Sequence, residues 1–341
     1  MLILMTPRYR RLLIPGLLAV LIVVVLITAL SREASGATLA RADGYDVVST
    51  IDNKDIEESS GLVVSTGHPD LAYTINDSGN DAVIYAIRIS TGKTVGTTEL
   101  SGGSYDDTEA LSIDNRGTLW VADTGDNDHE RSDIALYSLP QPGEGEHSVK
   151  ARRHPVTYSN GPQNVETLII NPKTNKKYLV SKGVLGGEVY PLPDDLKTGA
   201  ANTVTPLDVE VPLLITDGTF SSDGRYALVR TAIALHVFDA SDWHPIRKQS
   251  LPAQKQGETL AMEPGGTSFL IGSEGEDSQL LRLGFSAESD APVPTAQTET
   301  PEAADNRAAL VEEDREWLPW AIGAAMVVVV AAGGLVIRRR R

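Results

Sequence analysis

Five acidic residues, Glu58, Glu109, Glu166, Asp217 and Glu258, stand just ahead of short apolar runs, at intervals of 51, 57, 51 and 41 residues. The runs include Gly61-Leu62-Val63-Val64, Leu168-Ile169-Ile170 and Leu260-Ala261-Met262. A second polar set follows the next apolar run of each unit: Asn76-Asp77, Asp123-Thr124-Gly125-Asp126-Asn127, Ser181-Lys182, Arg230-Thr231 and Ser273-Glu274. Carboxylate and amide oxygens, with no thiolate and no grouped imidazole, suit a hard cation, Ca2+ ahead of Mg2+. The candidate ligands are Glu58, Asp77, Glu109, Asp126, Asn127, Glu166, Asp217 and Glu258. A cation there could hold a ligand, or polarise a phosphoryl or lactone carbonyl oxygen. In that second case Glu109 or Glu166 would act as general base and Lys182 or Arg230 would stabilise developing negative charge. An architectural alternative stays open for the five repeated acids, because an acid opening an inner strand can bind amides of its neighbour. Asp77, Asp126, Asn127, Lys182 and Arg230 repeat less regularly, so architecture alone does not require them.

Other chemistries fail on spacing. Asp77-Ser78-Gly79 and Asp123-Thr124-Gly125 follow apolar strands as aspartic-protease loops do, but they lie only 46 residues apart, too close for two protease lobes. The six histidines show no metal spacing, and no Gly-x-Ser-x-Gly elbow has a histidine near it. The chain has no cysteine, which excludes disulfides, thiolate metal sites and a cysteine nucleophile. No glycine-rich phosphate loop precedes a helix.

The elements that must position the acids read as all-β. From about 44 to 285, apolar runs of strand length alternate with Gly, Asp, Asn, Ser and Pro, without a sustained helical period. Asn115-Arg116-Gly117 and Ser222-Asp223-Gly224 are hairpin signals between first and second strands. Third strands are expected at 83–89, 134–139, 188–192, 235–239 and 279–285. One repeat of this length suits one four-stranded blade, so a β-propeller of five blades is expected, or of six should residues 144–153 hide extra strands. The last unit lacks a fourth strand, and residues 45–51 form an unassigned one whose pairing there would close the ring. In such a blade the loop entering the innermost strand and the loop leaving the second lie on the same face, so both polar sets converge on one mouth of the central channel.

Residues 114–123, Asp-Asn-Arg-Gly-Thr-Leu-Trp-Val-Ala-Asp, resemble the repeat signature of the gluconolactonase and NHL propellers. Phe220-Ser221-Ser222-Asp223-Gly224-Arg225 resembles the repeat of TolB-type propellers. The order Glu-Ser-Ser-Gly-Leu, Asn-Asp-Ser-Gly, Ala-Asp-Thr-Gly-Asp-Asn, Gln-Gly-Glu is similar to a group of bacterial secreted, membrane-anchored propellers, some resembling esterase-like phytases. These motifs mark blades rather than chemistry, and the resemblance carries over no catalytic residue.

The ends set the expected location. Residues 317–337 are uncharged and long enough for a transmembrane helix, with Trp317 and Trp320 at one edge and an arginine tail, 338–341, at the other. Residues 1–37, with Arg8, Arg10 and Arg11 before an apolar run, read as a signal peptide or an uncleaved anchor. Residues 286–316, rich in Ala, Pro, Thr and Glu, read as a disordered stalk. The propeller is thus expected to be extracytoplasmic, single-pass, or two-pass if the first segment stays. All 46 acids but only 23 of the 30 Lys and Arg lie in residues 31–316, a formal charge of −23 that repels nucleic acid and anionic lipid. With no complete catalytic constellation legible, the sequence favours a module that binds an envelope ligand or protein. A Ca2+-dependent lactonase or phosphoesterase is the alternative.

Overall fold

In the computed structural model, residues 44–286 are described, except 78 and 80. The signal or anchor segment, the apolar segment at 317–337, the arginine tail and all but the first residue of the expected stalk lie outside them. Among the described residues no helix is long and apolar enough to cross a membrane.

The regular elements are all strands. After β1 (Tyr45–Thr50), blade 1 comprises β2 (Ser59–Val64), β3 (Leu71–Asn76), β4 (Val83–Arg88) and β5 (Thr94–Ser101). Blade 2 has β6 (Thr108–Ile113), β7 (Thr118–Asp123) and β8 (Ile134–Pro140), then, after β9 (Gly145–Lys150), the outer strand β10 (Arg152–Tyr158). Blade 3 has β11 (Val165–Ile170), β12 (Lys177–Ser181) and β13 (Val189–Pro191), followed by β14 (Asn202–Val204). Blade 4 is β15 (Ile215–Phe220), β16 (Tyr226–Thr231), β17 (Ala234–Asp239) and β18 (Pro245–Ser250). Blade 5 is β19 (Gly257–Met262), β20 (Ser268–Ser273) and β21 (Gln279–Gly284), completed by β1. The five-bladed expectation holds. Residues 144–153 do hide extra strands, but β9 runs parallel to β5 at the rim of blade 1 and β10 finishes blade 2, so no sixth blade arises. β14 likewise pairs parallel with β10 rather than completing blade 3.

The ring closes as the unassigned first strand requires, with β1 antiparallel to β21 and the Ile51 amide bonded to the Ser278 carbonyl at 2.8 Å. Each hairpin follows its turn chemistry. Asp114 accepts the amides of Arg116 and Thr118, both at 2.9 Å, while Gly117 takes φ +79°, a conformation open to glycine.

Inner strands are covered on both sides by neighbouring blades, which explains their near-continuous apolar runs. On β11, Leu168 packs with Trp120 and Ala122 of blade 2, whereas Ile169 packs with Phe220 and Val229 of blade 4. Near the axis the blades leave no room: a Cβ on Gly61 would lie 2.7 Å from the Leu111 amide nitrogen. Leu168→Ala should therefore cost about 2–5 kcal/mol, whereas Ile246→Ala, at an exposed position of β18, should stay within about 0.5 kcal/mol. Equal midpoints in denaturant unfolding would contradict this interleaved core.

Strand direction fixes the faces of the disc. Loops entering inner strands meet turns after second strands on one face, where the amides of Asp77, Lys182 and Glu274 bond the carbonyls of Glu58, Asn164 and Gln256 at 3.1, 2.9 and 2.9 Å. Tyr45 lies opposite Leu283 and Thr50 opposite Gln279, so both ends of the described chain leave from the other face.

Candidate functional site

Each inner strand makes the same local departure from regular pairing at its mouth end. The register skips one residue between Ser59 and Gly61, Thr108 and Ala110, Val165 and Thr167, Ile215 and Asp217, and Gly257 and Thr259. The extra residues are Ser60, Glu109, Glu166, Thr216 and Glu258. A β-bulge leaves its extra residue unpaired and re-aims its side chain, a device common beside functional sites. Five bulges at one position of five consecutive blades therefore build a ring of three glutamates and two hydroxyls at the channel mouth.

This register corrects the alignment read from the sequence. Glu58 lies two residues before a bulge, level with Asp107, Asn164 and Gln256. Asp217 lies one residue after a bulge, level with Ala110 and Thr167. Its carboxylate is fully buried and accepts the amides of Gly218 at 2.7 Å and of Leu260, on the next blade, at 2.6 Å. Burial still pushes its pKa well above the usual carboxylate range. Asp217 thus has the architectural role left open for the repeated acids. Glu109, Glu166 and Glu258 have no such tie to a neighbouring blade's amide.

The polar partners of the ring are specific. Ser60 donates to Glu109 at 2.7 Å. Glu166 takes an amide hydrogen bond from Asn164 at 2.9 Å and an ion pair from Lys182 at 3.2 Å. Burial pulls Lys182 down, but the charges of Glu166 and Glu258 outweigh it and leave the ammonium held above its ordinary range. Glu109 is pushed well above the carboxylate range by burial, then by the charges of Glu166 and Asp107. Glu166 and Glu258 are raised by burial, with Lys182 opposing.

Asp107, which no sequence repeat singles out, hydrogen-bonds Glu109 side chain to side chain and is itself raised by burial. Gly125 makes the pair possible: a Cβ there would lie 2.4 Å from the Asp107 carboxyl and 2.4 Å from Glu109 Oε1. Asp107 Oδ1 and Asp123 Oδ2 are buried without a hydrogen-bond partner. Asp107 Oδ1 is thus an orphaned acceptor beside the mouth. Sequence reasoning does not single out Ser60, Asn164 or Thr216 either; their one sequence signal is an offset of one or two residues from the repeated acids, Ser60 two after Glu58, Asn164 two before Glu166 and Thr216 one before Asp217.

Other candidates divide sharply. Asp77 shares a hydrogen bond with Glu58, and burial followed by the Glu58 charge pushes its pKa up to about 7. Glu274, across the seam on blade 5, is pushed up to about 7 by burial and by Glu258 and Glu58. Asp126 caps its own turn, accepting the amides of Glu130 at 2.8 Å and Arg131 at 3.0 Å, while Asn127 accepts from the Asn164 side chain at 3.0 Å. Arg230 is fully buried and directs its guanidinium at the carbonyls of Thr259 at 2.8 Å and Gly272 at 3.3 Å. Burial lowers its pKa to about 10. It clasps blade 5 to blade 4, and its charge also acts on Glu258 of the ring, opposing the upward shift that burial imposes there. Among the described residues, no three acid or imidazole side chains are gathered closely enough to ligate one metal ion as they stand.

The raised carboxyls give a pH dependence of defined sign. In the unfolded chain Asp77 and Glu274 ionise near 3.8 and 4.5; in the fold both hold their protons to about 7. Well below the unfolded values, at about pH 2, both states are protonated and these groups contribute nothing to the difference. As pH climbs towards about 7 the unfolded chain gains from ionisation that the fold resists, so stability falls across that interval. Glu274→Gln should flatten part of the slope in melting curves taken between pH 5 and 8. A melting temperature that climbed with pH there would contradict the assignment.

No family model matches this chain, and no curated protein matches it. Among solved structures, a luciferin-regenerating enzyme is 13% identical, covering 67% of this chain and 78% of its own, with a TM-score of 0.41. A gluconolactonase from Xanthomonas campestris is 13% identical, covering 67% and 72%, with a TM-score of 0.43. These likenesses assign neither family nor activity. What the chain's own topology establishes is a five-bladed β-propeller whose inner-strand bulges gather acids at one mouth.

Proposed function

We propose that the mouth is a cation-binding site on a ligand-binding propeller displayed at the cell envelope. The observation that carries it is the repeated bulge, which holds Glu109, Glu166 and Glu258 on rigid strands, with Lys182 paired to Glu166 among them. Buried like charges repel strongly in a medium less polarisable than water, so an entering cation relieves a cost the fold already bears. Asp77 and Glu274, protonated to about 7, would release protons as it enters. The donors are all hard oxygens, and Asp107 Oδ1 lacks a partner. Without three gathered carboxylates, Ca2+ would keep part of its water shell. A ligand's ammonium or guanidinium could occupy the same place. The expected segment at 317–337 would anchor the propeller, and the partner would be an envelope ligand or protein rather than nucleic acid.

Calorimetric titration with CaCl2, and separately with agmatine, at pH 7 in two buffers of different ionisation enthalpy tests this reading. Binding heats that differ between buffers are expected, because protons leave the mouth. Absence of binding by both cations would overturn it.

Hydrolysis of a lactone or phosphoester is a second reading, favoured by the Asp107–Glu109 pair. Two hydrogen-bonded carboxyls, both pushed upward by burial, place an acid and a base side by side if they share one proton. Glu166 is the alternative base and Lys182 the cation nearest to it, while the burial of Arg230 removes it from the reaction. A phosphoester, being anionic, would need a bound cation before it could approach so acidic a mouth; a neutral lactone would not. Turnover of δ-lactones or 4-nitrophenyl phosphate that is lost in Glu166→Gln, with cation binding retained, would favour this reading over simple binding.

A further inference from the structure

Beyond the acids, the mouth face carries an apolar patch. Of the eight large apolar residues exposed among the described residues, Val184, Leu185, Leu213, Leu214 and Ile233 lie on loops of this one face, over blades 3 and 4. Leu185 is 98% exposed and Val184 69%, in the turn between β12 and β13. Leu213 and Leu214 lie in the segment entering β15, and Ile233 lies in the turn after β16. The loops that carry Val184, Leu185, Leu213 and Leu214 are joined. The Leu214 amide bonds the Gly183 carbonyl at 3.1 Å and the Gly187 amide bonds the Pro212 carbonyl at 3.1 Å, tying the first two loops together. Ile215 pairs with Thr231, and Ile233 stands in the turn that follows, where its carbonyl accepts the Leu251 amide at 2.9 Å, so it borders the other loops on the same face.

The loops are also held in place. Leu214 takes φ +55°, a left-handed conformation costly for a leucine, while remaining partly exposed. Two residues inboard of Val184 stands Lys182, paired with Glu166, so the apolar patch adjoins the acidic ring directly. Across the mouth, the seam between blades 5 and 1 opens a cleft of about 350 Å3 lined by Glu57, Glu58, Glu274 and Glu276, with Lys255 and Gln256.

We infer that this face docks a basic, amphipathic polypeptide segment, one that places a Lys or Arg in the acidic mouth and lays flanking apolar side chains over Val184, Leu185, Leu213, Leu214 and Ile233. The inference rests on the cation-binding reading above and adds the class of partner. Charge complementarity selects the occupant: an anionic lipid surface or an acidic protein would be repelled, and a purely polar cation would leave the apolar loops wet. The apolar half supplies affinity and the acidic half supplies orientation and speed of encounter.

The test uses the full chain in phosphatidylcholine nanodiscs, with empty discs as the blank and fluorescence anisotropy as the readout. Three short labelled peptides are compared: one alternating Lys with Leu, one alternating Lys with Ser, and one alternating Glu with Leu. The Lys/Leu peptide should bind at least about tenfold more tightly than the Lys/Ser peptide, since each buried leucine adds apolar area. The Glu/Leu peptide should not bind. Leu185→Ser combined with Ile233→Ser should reduce Lys/Leu affinity to the Lys/Ser level and leave Lys/Ser binding unchanged. Both positions are exposed, so an unaltered melting temperature is expected. Glu274→Gln with Glu276→Gln should weaken both basic peptides. Equal binding of Lys/Leu and Lys/Ser peptides would overturn the docking proposal while leaving the cation site standing. Binding of neither basic peptide would overturn the docking proposal, with the calorimetric titration of CaCl2 and agmatine then deciding the cation site separately; equal binding of the Glu/Leu peptide would reduce the patch to indiscriminate stickiness and overturn the proposed partner.

Discussion

Arg230→Ala should destabilise the propeller by roughly 3–5 kcal/mol, the range for stripping one charged partner from a buried polar network. For a domain of this size that is a fall in melting temperature on the order of 10 °C. Besides the Thr259 and Gly272 carbonyls, the guanidinium donates to the Ala232 carbonyl at 3.3 Å and to the Gln254 side chain at 3.2 Å. It pairs in register with Asp217, whose carboxylate binds the Leu260 amide, so the two side chains stitch blade 4 to blade 5 from adjacent strands. The fit is close: a Cβ on Gly257 would lie 2.1 Å from Arg230 Nη2. Arg230→Met separates the contributions. It keeps most of the volume and none of the donors, so if hydrogen bonding dominates it should lose nearly as much stability as alanine. An Arg230→Ala protein of unchanged stability that no longer bound cations would return this residue to the mouth and refute its architectural role.

The second large effect is expected from a single methyl group. Gly125 has an ordinary backbone conformation that alanine can adopt, so Gly125→Ala introduces nothing but the Cβ. That atom would stand 2.4 Å from both the Asp107 carboxyl and Glu109 Oε1, and one or both must move. Overpacking of this kind costs about 1–3 kcal/mol. The larger consequence is for binding: with the Asp107–Glu109 pair broken, cation affinity measured by calorimetry should fall at least about tenfold, or about 1.4 kcal/mol. Unchanged affinity would mean that the pair takes no part in binding and that the site centres on Glu166 and Glu258.

Much of the scaffold was legible because propeller physics is local and repetitive. Strand length, Asx-Gly turns and acid spacing located the inner, second and third strands, and the shortfall in the last unit identified β1 as its missing partner. The site was less legible because a bulge leaves no mark on the sequence. Glu58 and Asp217 stand within two residues of the bulge position and carry the right charge, so they imitate the repeat; a shift of one residue turns a strand side chain from one surface to the other. Ser60 and Thr216, which occupy the position, look like ordinary small polar residues. Asp107 became significant only when Gly125, a neighbour in space, was seen to make room for it. Arg230 shows the reverse: beside a strand end it reads as a functional cation, and only the convergence of carbonyls from blade 5 reveals that it is also a clasp.

The most direct test of the bulge-built cation site is thermal unfolding of the full chain, wild type against a Glu109→Gln, Glu166→Gln, Glu258→Gln triple variant, in EDTA and in millimolar Ca2+ or agmatine at pH 7. A ligand that binds only the native state raises the melting temperature. The account predicts a rise with cation in the wild type, no rise in the triple variant, and a variant more stable than wild type in EDTA because the buried repulsion is gone. A wild type indifferent to both cations, or a triple variant that still responds fully, would contradict it.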